Sequence, residues 1–406
     1  MPDQKAHETA PFRIGIVADD LTGALDAGAG FAKAGMRVRV PLVPVGTPLE
    51  VSDADAIVIN TASREGSADD AHSRTRAATI SLLRGGVTLL YKKVDSVLRG
   101  HPGPELAGML SPLPLGTRAL VAPAFPAQGR VTINGVQLVH GRPATNHGGR
   151  LREAFADAAT ACDFHDAADE ATLQAIAKQG VDDGVRVWVG SAGLAAELVP
   201  ALIEKGLHFA GHEGTDGDDG FASDAPWHGG SQIVVIAGSV HPVTVAQVAS
   251  VALAGVRHLA FDPQRPETWP SASTLDQALS GDLTGVSETT GPLVFSTHVA
   301  VPDGPVPDAW NRGAAELLER TANALTRRLA TGVPMALVVT GGETAQSLFA
   351  RLGATAIDVT GEVLPGIPTG RLHVGPYLVP IVTKSGGFGG QSDLATIIDG
   401  TSQLRG

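Results

Sequence analysis

At 406 residues and 43% hydrophobic content the chain can bury more apolar surface than one core usually serves, so two domains are expected. Lys and Arg number 30 against 42 Asp and Glu, a formal net charge of −12, which argues against nucleic acid or an anionic membrane as the main partner. A small anion stays open, because it needs only a few local cations and amides.

The lone cysteine, Cys162, excludes an internal disulfide and reads as a buried thiol rather than a nucleophile. The opening MPDQKAHETAPF has no signal-peptide apolar core, and no apolar run approaches the ~18 residues of a membrane span, so a soluble, cytoplasmic protein is expected.

From residue 12 to about 205, short β-rich runs alternate with helical stretches, and RIGIVA, AIVIN, VTLLYKKVD, RALVAP and VRVWVG are the strand candidates. Runs separated by helices imply a largely parallel sheet. In SADDAHSRTRAATISLLRGG, Ser67 can cap a helix, Asp69 and Asp70 sit in its first turn, and Gly85 ends it. VTINGVQLV is a hairpin signal, with Asn134-Gly135 at its turn.

Residues 206–230 lack periodicity and are rich in Gly, Asp and His, a linker composition; His208, His212 and His228 there have no metal-ligand spacing. QIVVIAG, VRHLAF, PLVFST, ALVVTG and LVPIVTKSG form a second α/β series. A helix from Ala309 to Leu329 puts Leu317, Thr321, Leu325 and Leu329 on one face. The expected fold is therefore α/β: two lobes, 1–205 and 231–406, each with a largely parallel sheet, with ligands in an inter-lobe active-site cleft. No internal repeat is evident.

Open parallel sheets bind ligands beyond the carboxyl ends of their strands, so polar residues there are the candidates. Asp19 and Asp20 end the first strand and open the helix DLTGALDAGAGFAKAG, closed by Gly35. Capping explains one aspartate; the pair suggests a site. GAGFAKAG mimics a dinucleotide fingerprint but lies inside the helix, away from the strand-helix turn. In TLLYKKVDSVLRGHPGPEL, alternation puts Lys93 and Asp95 on one face, Ser96, Arg99 and Gly100 continue into a loop, and Pro104 suits the start of the next helix.

Such a gathering of cation, carboxylate, hydroxyl and guanidinium suits a polyhydroxy acid, although a structural salt bridge explains part of it. APAFPAQGR adds Gln128 and Arg130. VGSAGLAAEL either turns helix amides toward an anion or simply packs closely.

The second lobe has three glycine-serine turns after strands: Gly238-Ser239, Thr340-Gly341-Gly342-Glu343-Thr344 and Lys384-Ser385-Gly386-Gly387. Together they fit a nucleotide whose phosphates are held by amides, although no Walker A sequence occurs.

The chain resembles the four-carbon acid sugar kinases over nearly its whole length. ADDLTGA, KKVDSVLRG, APAFPAQGR and GSAGLA resemble that family's sugar-acid-binding lobe, and AGSVHPVT, TGGETA and TKSGGFG its nucleotide-binding lobe. The resemblance implies ATP-dependent phosphorylation of the terminal hydroxyl of threonate, erythronate or 3-oxo-tetronate.

On that reading Asp19, Asp20, Lys93, Asp95, Ser96, Arg99, Gln128 and Arg130 bind substrate, and Asp20 or Asp95 orients or deprotonates the attacking hydroxyl. Ser239, Gly341, Gly342, Glu343, Thr344, Gly386 and Gly387 hold nucleotide. Mg²⁺ comes with ATP, with no direct protein ligand and Glu343 reaching it through water. The expected partner is a small-molecule acid sugar, with a homodimer as a possible assembly. Two rivals from other classes are a nicotinamide-dependent sugar-acid dehydrogenase, which should carry G-x-G-x-x-G directly after a strand, and a non-catalytic sugar-acid sensor, which has no use for the glycine turns.

Overall fold

The computed structural model describes residues 12–49, 53–207, 232–280, 291–297 and 307–402. The chain splits into two compact units, one of Met1–Arg39 and Pro44–Asp219, the other of Val40–Val43 and Gly220–Gly406. The expected linker with His208, His212 and His228 lies outside the described residues, apart from Gly206 and Leu207. Among the described residues no helix is long and apolar enough to cross a membrane.

The first unit runs β1 (Ile14–Ala18), α1 (Leu21–Lys33), β2 (Val38–Pro41), β3 (Ala56–Asn60), α2 (Ala68–Arg84), β4 (Leu89–Lys93), α3 (Pro102–Leu110) and β5 (Ala119–Ala122). A small antiparallel sheet of β6 (Arg130–Ile133), β7 (Val136–Val139) and β8 (Arg142–Pro143) follows. Then come α4 (Leu151–Ala154), β9 (Cys162–Phe164), α5 (Glu170–Asp182), β10 (Val187–Gly190) and α6 (Ala192–Glu204).

The main strands lie in the order β2-β3-β1-β4-β10-β5-β9, and every pairing along it is parallel. β1 and β4 are buried along their whole length, which is why they read as continuous runs. Alternation sends Val17 and Leu90 into the core under α2 and α3, while Tyr91 meets Phe31 of α1 edge-on, ring centroids 6.0 Å apart.

Several local expectations hold in detail. Ser67 accepts the Asp70 amide at the start of α2, and Asn134 and Gly135 both have positive φ in the hairpin turn. Cys162 is buried, its thiol donates to the Ala158 carbonyl, and burial pushes it up to about 12. Two differ. α3 starts at Pro102, so that proline and not Pro104 takes the first helical position. β2 and β9, of four and three residues, are strands too short to stand out in the sequence.

The second unit runs β11 (Gln232–Ala237), α7 (Pro242–Leu253), β12 (Arg257–Ala260), α8 (Ala272–Ser280), β13 (Leu293–Ser296), α9 (Asp308–Ala330), β14 (Met335–Thr340) and α10 (Gly342–Arg351). It closes with β15 (Ala354–Leu364), β16 (Ile367–Val374), β17 (Tyr377–Lys384) and α11 (Asp393–Ser402). The order is β12-β13-β11-β14-β17-β16-β15, parallel through β17 and antiparallel at the hairpin β15–β16 and at β16–β17. Ile233, Val235 and Ala237 pack with α7 and α11 on one face. Leu317, Thr321, Leu325 and Leu329 of α9 are buried as the periodicity predicts.

In both units the first strand is flanked by the third and the fourth: β3-β1-β4 and β13-β11-β14. The connections leaving the first strand and the fourth therefore diverge, and such a switch point leaves a crevice at the carboxyl ends. The candidate residues after β1 and β4, and after β11 and β14, sit at these two points.

The α2–α3 contact in the first unit is close enough to test. A Cβ at Gly108 would collide with the His72 carbonyl oxygen. Gly108→Ala should lower the unfolding free energy by about 1–3 kcal/mol, the usual cost of overpacking, read from urea denaturation.

Candidate functional site

In the first unit the two aspartates have different jobs. Asp20 is the N-cap of α1, its Oδ1 accepting the Gly23 amide at 2.7 Å, and its Oδ2 accepts the Thr22 hydroxyl. Asp19 is 1% exposed, so it is not a solvated partner to the cap. Arg64, from the turn after β3, neutralises both: Nε and Nη2 bind the Asp19 oxygens at 2.7 and 2.9 Å, and Nη1 binds Asp20 Oδ2 at 2.5 Å. Burial alone would raise the Asp19 carboxyl, but the charges of Arg64, Lys92 and Lys93 with the Arg64 hydrogen bonds outweigh it and hold it below its ordinary range.

The turn carrying Arg64 is fixed from several sides. The Thr61 amide donates to the Ala18 carbonyl, and the Ser63 and Arg64 amides to that of Asp19. The Ser63 hydroxyl donates to Glu105 Oε1 at 2.7 Å, and Glu105 in turn pairs with fully buried Lys92 at 2.9 Å. Ala62 sits at φ +48°, a left-handed conformation costing a non-glycine residue about 1 kcal/mol or more.

After β4, Asp95 Oδ1 accepts the Val97 amide at 2.9 Å, and its Oδ2 takes Arg99 Nη2 at 2.6 Å, with Arg64 Nη2 3.9 Å away. Burial raises the Asp95 carboxyl; the Arg99 bonds and charge, with Arg64 and Lys93, overcome this and hold it well below the carboxylate range. Leu98, just before Arg99, has φ +60°. Lys93 is buried with Nζ 3.9 Å from Asp26 Oδ2, donating to the Val94 carbonyl.

Arg130 begins β6, half-buried, close enough to feel the charges of Asp95 and Arg99; burial lowers its affinity for its proton. Thus Asp19, Asp20, Lys93, Asp95, Arg99 and Arg130 share one neighbourhood. Ser96 is half-buried beside Asp95, and its carbonyl accepts from Gln137. Gln128 is half-buried two residues before Arg130, in the short turn Pro126–Gln128.

The small residues of GSAGLA pack closely. Ser191 caps α6 and its hydroxyl donates to the Ala124 carbonyl, while a Cβ at Gly193 would lie 2.7 Å from that same oxygen. GAGFAKAG lies within α1 and its C-terminal end, as expected.

In the second unit the three glycine turns converge. Gly341, at φ +96°, ends β14 and caps α10, and a Cβ there would come 3.1 Å from Ser239 Cβ, after β11. A Cβ at Gly386 would collide with Ser239 Oγ, and one at Gly238 with Thr344 Oγ1. A Cβ at Gly387 would lie 3.2 Å from His241 Nε2, and His241 caps α7. Side chains are excluded where these turns meet, so backbone forms much of the surface.

Gly342 and Glu343 open α10, with Glu343 exposed. Buried Lys384 ends β17 and spends its ammonium on the Ser385 and Phe388 carbonyls at 2.9 and 3.1 Å; burial lowers it to about 8.

The chain's similarity to known proteins follows the same division. A family model described as a sugar-binding N-terminal domain matches residues 14–150, and one described as a nucleotide-binding C-terminal domain matches 234–394. A D-threonate kinase of Bordetella bronchiseptica is 31% identical, with 94% of this chain and 95% of that one covered. This chain belongs to the four-carbon acid sugar kinase family.

A D-erythronate kinase of Heliobacterium modesticaldum is 29% identical over 95% of this chain and 96% of that one, and a 3-oxo-tetronate kinase of Methylobacterium radiotolerans is 29% identical over 95% and 98%. The fold is also that of a solved Haemophilus influenzae protein, with a TM-score of 0.67 at 22% identity over 96% of this chain and 100% of that one.

As a member of this family the chain is an acid sugar kinase, and Arg64 is the residue of its first-unit cluster that sequence reasoning missed. The signal was available: TASR directly follows the strand AIVIN, where polar residues are to be questioned. Its acidic partners are distant in sequence, so its position after a strand was the mark it carried.

The depressed Asp95 carboxyl makes a pH prediction. Its ordinary value is 3.8 and the folded value is lower, so its contribution to stability is full above about pH 4 and is lost as pH falls through the folded value. Asp95→Asn should therefore destabilise most at neutral pH, with the deficit narrowing below about pH 4. Denaturation midpoints at pH 7, 5 and 3.5 check this, and a constant deficit contradicts it.

Proposed function

We propose that the chain transfers the γ-phosphoryl group of ATP to the terminal (4-) hydroxyl of a four-carbon acid sugar such as D-threonate, D-erythronate or 3-oxo-tetronate. The supporting observation is the mixture at the ends of β1, β3 and β4, where four cations, Arg64, Lys93, Arg99 and Arg130, surround three carboxylates, Asp19, Asp20 and Asp95. A ligand that is both anionic and hydroxyl-rich needs both kinds of partner. We assign acid binding to residues 1–205 and nucleotide binding to 231–406, joined by 206–230, in keeping with the relatives' kinase names and the descriptions of the matched domains.

In this reading Arg99, its side chain 52% exposed, turns from Asp95 to the substrate carboxylate, assisted by Arg130 and Lys93. Asp19 is held ionised by Arg64 and accepts from substrate hydroxyls, with Ser96 and Gln128 contributing further contacts. Asp20 orients the attacking hydroxyl and takes its proton. Asp95 is a poor candidate for the base, because its cations keep the carboxyl acidic.

In the second unit the amides around Ser239, Gly341, Gly342, Thr344, Gly386 and Gly387 cradle the phosphates. Mg²⁺ bound with the nucleotide would supply charge neutralisation, and exposed Glu343 is the carboxylate that would hold it through water. Phosphoryl transfer asks the protein mainly for such positioning and charge stabilisation. ATP supply and a single unpaired cysteine suit the cytoplasm.

The activity is tested by ADP release from MgATP with a panel of four-carbon acids, with phosphorus NMR locating the transferred group. Acid-stimulated turnover and a 4-phosphate are expected; ADP release that no acid stimulates overturns the reading.

Arg99→Ala should weaken acid binding by about 1.5–3 kcal/mol, roughly 10- to 150-fold, the value of a hydrogen bond to a charged group, with nucleotide affinity unchanged. Asp20→Asn keeps a good N-cap, since Asn and Asp cap alike. It should lower kcat by roughly 10²- to 10⁴-fold with little change in acid affinity. Normal turnover in Asp20→Asn removes the base assignment.

A further inference from the structure

Beside the glycine turns, the second unit holds a cavity of about 270 Å³ bounded by Gly238, Thr344 and the facing surfaces of α9 and α10. Whole small-molecule pockets run from about 300 to 1,000 Å³, so this one suits part of a ligand. We propose that it seats the nucleobase of the nucleotide, with the Thr297 hydroxyl as its hydrogen-bonding contact, an inference that rests on the nucleotide reading above.

The chemistry of the walls selects a flat, neutral guest. Phe261 and Phe295 lie nearly parallel, 24° apart with centroids 6.3 Å from each other, and Trp310 joins them in the lining. The lining also includes Ala314 and Ala315 of α9, small side chains that leave room. Among the described residues Glu343 is the only ionisable side chain in the lining, and no cation is among them to hold a sugar acid's carboxylate.

Polar selectivity comes from the end of β13. The Ser296 hydroxyl is engaged with His258 Nε2 at 2.8 Å, and that of Thr321 donates to the Leu317 carbonyl. Thr297 differs: it is 8% exposed, it lines the cavity, and its hydroxyl has no hydrogen-bond partner among the described residues. A buried hydroxyl left unpaired costs free energy that a ring nitrogen or exocyclic amine would return. Because Gly238 and Thr344 belong both to this lining and to the glycine cluster, base and phosphates fit as two ends of one molecule.

Calorimetry on the full chain with ADP and with inorganic tripolyphosphate separates base from phosphate binding. Ala314→Trp fills the cavity from half-buried Ala314 on α9 and should weaken ADP roughly 30-fold or more, the scale of losing an anchoring contact, with tripolyphosphate unchanged. Thr297→Val, nearly isosteric, carries the test if the tryptophan disturbs folding, and should weaken ADP roughly 3- to 10-fold, the value of one hydrogen bond, again sparing tripolyphosphate. Full ADP affinity in either folded variant overturns the base pocket, as does an equal loss of tripolyphosphate. Failure of the native chain to bind either ligand overturns the nucleotide reading instead.

Discussion

The guanidinium of Arg64 is the constraint on which the first unit's site depends. Two adjacent carboxylates at the buried end of a strand repel each other and lose hydration, a combination stable only with a cation and further hydrogen bonds in place. Arg64 supplies both, bonding Asp19 through two nitrogens and Asp20 through the third while approaching Asp95. One residue thereby ties the ends of β1, β3 and β4 into a single electrostatic unit. Its own placement rests on the turn below it, where Ser63 reaches Glu105 and Glu105 reaches Lys92. Two buried ion pairs, Arg64 with Asp19 and Lys92 with Glu105, are thus linked through one turn, and removing one member of either pair takes a counter-charge from its partner in low dielectric.

The two units apply one topological rule to opposite chemistries. Each puts its third and fourth strands on either side of its first, opening a crevice at the carboxyl ends. The first unit fills that crevice with formal charge. The second fills it with glycine backbone, and its buried lysine, Lys384, binds the carbonyls of its own loop. The difference follows the ligands proposed: a small acid offers few atoms and must be gripped by side chains, whereas polyphosphate carries its charge on oxygens that amides can approach closely.

Much of this was legible because strand ends are marked in sequence. IGIVA running into two aspartates, YKKVD breaking an apolar run, and three glycine turns after apolar runs each show a strand stopping and polar chemistry starting. What stayed hidden was marked less clearly. Arg64 sits in TASR, an unremarkable turn whose meaning comes from Asp19, 45 residues away. Glu105 gave no sign of a role either: it pairs with fully buried Lys92, a contact that only α3 packing supplies. The β15–β16 hairpin escaped notice because its strands mix polar residues and glycines with the apolar ones, as ATAIDVTGEVL shows, which blurs the alternation.

A chain of net charge −12 that gathers cations at one site separates global from local electrostatics. At physiological ionic strength charges on the outer surface are screened within about 8 Å, so the overall negative field reaches a small acid weakly. The buried pairs are screened far less. Arg99 stands between the two regimes, bound to a buried carboxylate yet half exposed, so it can exchange Asp95 for an incoming carboxylate without a cation ever being stripped of both partner and water. Arg64, 12% exposed and holding two carboxylates, has no such freedom and serves as a fixed frame. On the proposed function, exchange at the exposed guanidinium and a fixed buried one would let a single cluster both capture an anion and hold the carboxylates that meet its hydroxyls.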